Sequence, residues 1–295
     1  MVESMNSPVF IIGSPRSGTT LLRLMLTSHR NIVIPPECGF AVWWYEKYKN
    51  WGKSTKANDL RYRDFLRDLL KSKKIETWHI DEKDLLKFLR EREPSSYSEL
   101  VSCVYEWYGL SNGKSLKRWG DKNNFYIHHI LTIKKIFPNA CFVHIIRDGR
   151  DVACSYKELH ERKIDSPYAP KLPHTIEKIA EEWKINIEEA IESFTRINWE
   201  NVYEIKFEDL IFNTETSLSN LCARLGEEYD LSMLNYHNIN RERDLEPKEF
   251  LKWKEKTLQA PMKSVVGRHK KGLTKRELKK FESVAGDILR RVGYL

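Results

Sequence analysis

The string Gly13-Ser-Pro-Arg-Ser-Gly-Thr-Thr20 has the Gly-x4-Gly spacing that lets successive backbone N–H groups turn inward at the start of a helix. Phosphate or sulfate oxygens bind such a turn, so its chemistry is anion binding. In nucleoside triphosphatases a lysine after the second glycine reaches the β- and γ-phosphates, but here that position is Thr19, which disfavours ATP hydrolysis. Arg16 lies inside the loop instead, where a guanidinium can meet the oxygen bridging a 5′-phosphate and a transferring group as charge develops on it. A second anion site is expected about 130 residues later. The almost continuous apolar run Ala140–Ile146 reads as a strand buried on both faces, and it delivers Arg147 to the carboxyl edge of a parallel sheet. Ser155 follows about two helical turns on, so the pair can grip a second phosphate about one nucleotide's width from the first. The alternative is structural: Arg147 pairing with Asp148 or Asp151 at a helix start.

Pro15-Arg-Ser-Gly-Thr-Thr20 and the run Leu21–Leu26 resemble the 5′-phosphosulfate loop and first helix of sulfotransferases that use 3′-phosphoadenosine-5′-phosphosulfate (PAPS). Ile146-Arg-Asp-Gly-Arg-Asp-Val-Ala-Cys-Ser155 resembles the 3′-phosphate motif of the same family, and the arginine in the loop is closest to its tyrosylprotein and related bacterial branch. The resemblance implies transfer of a sulfuryl group from PAPS to a hydroxyl by in-line displacement, leaving 3′-phosphoadenosine-5′-phosphate (PAP). It places Arg16, Ser17, Gly18, Thr19 and Thr20 on the 5′ side of the donor and Arg147 and Ser155 on the 3′-phosphate. Arg268 and Lys270, in the basic stretch Gly267-Arg-His-Lys-Lys-Gly272, resemble the loop that closes over that phosphate.

The catalytic residues so implied are Arg16, Glu37 and Lys122. Glu37 follows Pro35-Pro36 at the exit of a short strand, Asn31–Ile34, where the tyrosylprotein branch has its catalytic glutamate when counted from the shared histidine, here His29. A carboxyl in a partly dry pocket would have the raised pKa that suits a general base. Lys122, in Trp119-Gly-Asp-Lys-Asn-Asn-Phe125, resembles the family lysine that assists departure of the nucleotide, although Asn123-Asn124 departs from the family's usual following residues. His128 and His129 are rival bases ranked below Glu37, because adjacent residues on a helix face two directions. Neither a metal nor a covalent intermediate is needed.

Two other functions compete. A P-loop-type kinase would share the loop but should carry the missing lysine, and a non-catalytic nucleotide or nucleic-acid binder fits the net charge of +8 and the pI near 9.1. The basic residues are interspersed with acids rather than gathered in a stripe, so no nucleic-acid partner is expected. The acceptor is left open among small-molecule, carbohydrate, tyrosyl-peptide and lipid hydroxyls. Trp43, Trp44, Tyr45, Tyr48 and Trp51 could stack on a sugar or aryl group, but Trp44, Tyr48 and Trp51 share one helical face, which favours packing.

The elements that must position these residues alternate strand and helix: Pro8–Ile12, the helix Thr19–Ser28, Asn31–Ile34, Ala140–Ile146, helices near Arg150–Arg162 and Thr175–Phe194, then Asn201–Ile205. That order predicts an α/β fold, a P-loop-like doubly wound parallel sheet flanked by helices, with a helical insertion over about 46–116 and a last helix near Lys275–Arg291. A hydrophobic content of 41% in 295 residues is ample for a core and excludes a disordered chain; one domain, 1–295, is the simplest expectation. Five scattered cysteines without a CxxC pair suggest reduced thiols, and Val9–Ile12 is too brief for a signal peptide or membrane span, so a cytoplasmic protein is expected.

Overall fold

Val9–Ile12 (β1) is wholly buried, as a parallel strand covered by helices on both faces must be. The computed structural model describes residues 7–52, 59–114, 117–162 and 164–295. From β1 the chain turns through the glycine loop into α1 (Thr19–Ser28) and the two-residue strand β2 (Ile32–Val33). An insertion follows, with α2 (Asp59–Leu70), α3 (Glu82–Arg92) and α4 (Tyr97–Ser111). Asp81 and Ser96 accept the first free N–H groups of α3 and α4, which fixes where those helices start. The chain returns to the sheet through β3 (Arg118–Lys122) and β4 (Cys141–Ile146). It continues through α5 (Gly149–Glu161), α6 (Ile176–Arg196), β5 (Val202–Lys206), α7 (Thr214–Leu225) and α8 (Lys275–Arg291).

All strand pairings are parallel, in the order β2-β3-β1-β4-β5. From β1 the chain goes first to the β3 side and later to the β4 side, so the crevice at the carboxyl ends of β1 and β4 is the topological switch point where such sheets bind ligands. The loop Gly13–Gly18 opens at that point. Alternation along β1 divides the core: Val9 and Ile11 pack with Leu22 and Met25 of α1 and Leu218 of α7, whereas Phe10 and Ile12 join Trp119, Phe142 and the insertion. A third cluster lies under α5, α6 and α8, and there Gly149 comes so close to Trp183 that a Cβ would stand 2.5 Å from its ring.

The expected strands and helices are present with ends moved by a residue or two, as for α5, which starts at Gly149 with Asp148 as its cap. The exception is β3, for which Arg-Trp-Gly-Asp-Lys gives no strand pattern, yet it lies in the sheet between β2 and β1. Its polar side chains are buried and paired. Arg118 donates to the carbonyls of Ser7 and Leu225 and lies 3.5 Å from Glu227, while Asp121 accepts from the hydroxyls of Tyr105 and Tyr126. All five cysteines are free thiols, and among the described residues no helix is long and apolar enough to cross a membrane.

Arg118 therefore ties the start of β3 to the end of α7. Arg118→Ala should lower stability in urea denaturation by about 2–4 kcal/mol, because buried acceptors lose a charged donor. A loss below about 0.5 kcal/mol would contradict that role.

Candidate functional site

The glycine loop closes through a hydrogen bond from the Ser17 N–H to the Ser14 carbonyl, 3.2 Å. Arg16 and Gly18 have φ of +66° and +93°, and a Cβ on Gly18 would stand 2.4 Å from the Phe207 ring, so only glycine fits there. The hydroxyls of Ser14 and Ser17 are buried with no hydrogen-bond partner among the described residues. Buried hydroxyls seldom go unsatisfied, so they fit a loop shaped for an anion's oxygens.

Arg16 connects this loop to the second predicted site. Its Nε donates to Ser155 Oγ at 3.1 Å and one terminal nitrogen donates to the Trp253 carbonyl at 3.1 Å. Arg147 donates to the Arg16 carbonyl at 3.0 Å and to the Val265 carbonyl at 2.7 Å, its guanidinium lies 4.4 Å from the Phe207 ring centre, and its buried Nε has no partner among the described residues. Burial, with Arg147 adding repulsion, lowers the Arg16 pKa to about 10. The structural alternative for Arg147 is not what the chain uses. Asp148 accepts from Arg150, while Asp151 accepts from the N–H groups of Gly267 and His269 and contacts the His269 ring. Asp151 and Glu208 act on Arg147, and Glu158 on Arg16, only from beyond ion-pair distance, so among the described residues neither guanidinium is paired with a carboxylate and both can meet an anion.

On the other side of the loop, Lys122 at the end of β3 donates to Thr20 Oγ1 at 3.1 Å and to Glu37 Oε1. Lys74 from the insertion donates to Glu37 Oε2 at 2.5 Å, and Lys254 lies 3.6 Å from Oε1. This corrects the expectation for Glu37. Burial alone would push its carboxyl up, but Lys122, Lys254 and Lys74 outweigh burial and hold it well below the usual carboxylate range. Lys122, buried at the same place, is pulled down to about 8 by desolvation. Beyond them, Lys254 and Arg23 both pair with the buried Glu246.

A cavity of about 490 Å³ joins the two halves. Of the residues expected to hold the donor, Arg16, Gly18, Thr19, Thr20, Arg147, Ser155 and Arg268 line it together with Glu37, while Ser17 lies fully buried in the loop. Arg268 is held by Glu158 at 2.8 Å, and Lys270 is exposed outside the lining. His128 is half-exposed against Glu189 of α6, and neither it nor His129 lines the cavity. The five aromatics from Trp43 to Trp51 are also outside it: Tyr48 and Trp51 are buried, Trp51 donates to the Pro94 carbonyl at 2.9 Å and Trp43 stacks on Phe125. Lys74, Lys254, Glu246 and the Trp253 carbonyl are site residues without a local sequence signal. Asn124, which accepts from Thr19 Oγ1 at 3.2 Å, belongs to the Trp119–Phe125 string already singled out.

The model of the sulfotransferase family matches residues 8–231. Two Caenorhabditis proteins bearing protein-tyrosine sulfotransferase names align with the chain. That of C. briggsae is 22% identical over 85% of this chain and 76% of its own length. Protein-tyrosine sulfotransferase A of C. elegans is 21% identical over 78% of this chain and 53% of its own, so this chain spans about half of that relative. Among solved structures, the sulfotransferase domain of the Synechococcus PCC 7002 olefin synthase superposes with a TM-score of 0.58 at 19% identity, over 96% of each chain, and so shares the fold.

The lysines around Glu37 set a pH dependence of stability. A carboxylate held low contributes fully above its unfolded value near 4.5, and the contribution fades as pH falls through the lower folded value. Glu37→Gln should cost about 3 kcal/mol in urea denaturation at neutral pH, with the gap to wild type narrowing below about pH 4. A gap independent of pH would contradict this.

Proposed function

The chain belongs to the sulfotransferase family, and on that premise we propose that it moves a sulfuryl group from PAPS to a hydroxyl acceptor by in-line displacement, with Glu37 as general base. The observation that carries the proposal is the joined pair of anion sites: a glycine loop with two unsatisfied buried hydroxyls, bonded through Arg16 to Ser155 and in contact with Arg147. Two cradles joined by one arginine suit a nucleotide with separate 5′ and 3′ anionic groups better than a nucleoside triphosphate. Thr19, in the place of the lysine a kinase would need, points the same way.

When bound, the donor supplies the sulfuryl group and a phosphate leaving oxygen. The loop N–H groups, Ser17, Gly18, Thr19 and Thr20 hold the 5′ side, and Arg147, Ser155 and Arg268 hold the 3′-phosphate. Arg16 and Lys122 would balance the charge that grows on the leaving oxygen, a task for preorganised cations. Glu37 takes the acceptor proton. A carboxylate held low is always in its accepting form at neutral pH but is a weak base, and a change in its cation partners alters that strength. Lys122 contacts both Glu37 and Thr20 and so links the state of the base to the donor loop.

The acceptor class is a small-molecule, carbohydrate or peptide hydroxyl, and the names of the Caenorhabditis relatives make a phenol the first acceptor to assay. In thermal melts PAP should stabilise the protein more than ATP with magnesium does, since a ligand selective for the folded state raises the melting point. Arg147→Ala should weaken PAP binding by about 30-fold or more, the loss of one charge-assisted contact. Glu37→Gln should keep PAP binding and lose transfer to a phenol by about 10²–10⁴-fold. Stabilisation by ATP with magnesium alone would overturn the proposal, and an active Glu37→Gln would remove Glu37 as base.

A further inference from the structure

Glu37 does not sit in a simple ion pair. Among the described residues its cluster sets four buried or half-buried cations, Arg23, Lys74, Lys122 and Lys254, against two carboxylates, Glu37 and Glu246. Surplus positive charge in a dry place is costly unless an anion meets it. The two oxygens of Glu37 are also unequal. Among the described residues Oε2 is held by Lys74, whereas Oε1 faces Lys122, which is shared with Thr20 of the donor loop, and Lys254 at 3.6 Å.

Lys254 is fixed for that place from several sides. It ends the helix Lys248–Lys254, where a cation complements the helix dipole, and it donates to Glu246 Oε1 at 2.6 Å. Glu246 is itself held by Arg23 of α1, and its backbone N–H donates to Asn240 Oδ1 at 2.7 Å. Phe250, one turn earlier on the helix and fully buried, has Lys254 and Lys74 at 5.0 and 5.2 Å from its ring centre, a cation–π contact that helps to hold two like charges close to one carboxylate. The neighbouring Trp253 supplies the carbonyl that holds Arg16, so one dipeptide touches both the donor loop and the base.

We propose that Lys254 is a positioning residue for transfer: held by Glu246, it is the second cation on Glu37 Oε1 and keeps that carboxylate in place while Lys122 is shared with Thr20 of the donor loop. The inference rests on the reading of Glu37 as the base, but its geometry does not. The charged groups around the pair are Lys122 on β3, Lys74 in the insertion, Arg23 on α1 and Glu246, with Tyr108 of α4 feeling both Arg23 and Glu246. Removal of Lys254 takes away one of the three charges that hold the Glu37 proton off, so the carboxyl must protonate at higher pH.

The test uses ligand-free protein labelled with 13C at the glutamate carboxyl carbon, the Glu37 signal being the one lost in Glu37→Gln. Lys254→Met should make this signal begin to titrate about one pH unit higher than in wild type, and Lys254→Arg should restore the wild-type behaviour. The acid limb of kcat/KM for transfer to a phenol should move up by a similar amount in Lys254→Met only. A Glu37 signal that titrates alike in all three proteins overturns the inference, and so does a signal that moves equally in the Arg and Met variants. Failure of the base reading is separate: an active Glu37→Gln with a shifted signal in Lys254→Met would remove the link to transfer and leave the placement of Lys254 standing.

Discussion

The guanidinium of Arg16, held by Ser155 midway along α5 and by the Trp253 carbonyl near the end of the helix Lys248–Lys254, is the contact on which the arrangement of the site depends. It brings together three parts of the chain that are remote in sequence: the loop after β1, the helix after β4 and the helix Lys248–Lys254. Arg147 completes the junction by donating to the Arg16 carbonyl, so side chain and main chain of one residue are both fixed. The cost is visible in the backbone. A non-glycine residue at φ +66° is strained by about 1–2 kcal/mol, which is offset by three hydrogen bonds in a buried setting.

Electrostatics give that junction its direction. The guanidiniums of Arg16 and Arg147 are held by hydroxyl and carbonyl oxygens and have no carboxylate paired with them among the described residues, unlike Arg150 a short way along the chain, which pairs with Asp148 and Glu282. The same imbalance recurs around Glu37, where lysines outnumber carboxylates. A cavity with such walls attracts anions and binds them against little competing solvation. The fold supplies the place: the carboxyl ends of β1 and β4 and the start of α1 meet at the switch point of the sheet.

How much of this the sequence reveals follows from where the information lies. β1, α1, β4, α5 and α6 are readable because apolar periodicity and caps are local, and with them come the glycine loop, Arg147 and Ser155. β3 is unreadable because its buried Arg118, Asp121 and Lys122 are satisfied by partners far along the chain, and no window around them shows a strand. Glu37 is found by its place after a short strand, yet its acidity has the opposite sign to the expectation, since that is decided by Lys74, Lys122 and Lys254 from three separate elements. Lys74 and Lys254 are two among 50 basic residues and nothing nearby marks them. In the basic stretch near the C-terminus, only the fold separates Arg268, which lines the cavity, from exposed Lys270.

The most direct measurement is calorimetric titration of the protein with PAP and, in parallel, with 5′-AMP and 3′-AMP. If the loop and the Arg147 site each hold one phosphate, the bisphosphate binds tighter than either monophosphate by about 30-fold or more, and raised salt weakens it most. Equal affinity for PAP and 5′-AMP would mean that only one anion site is real, and the joined pair of cradles would not be the basis of this protein's chemistry.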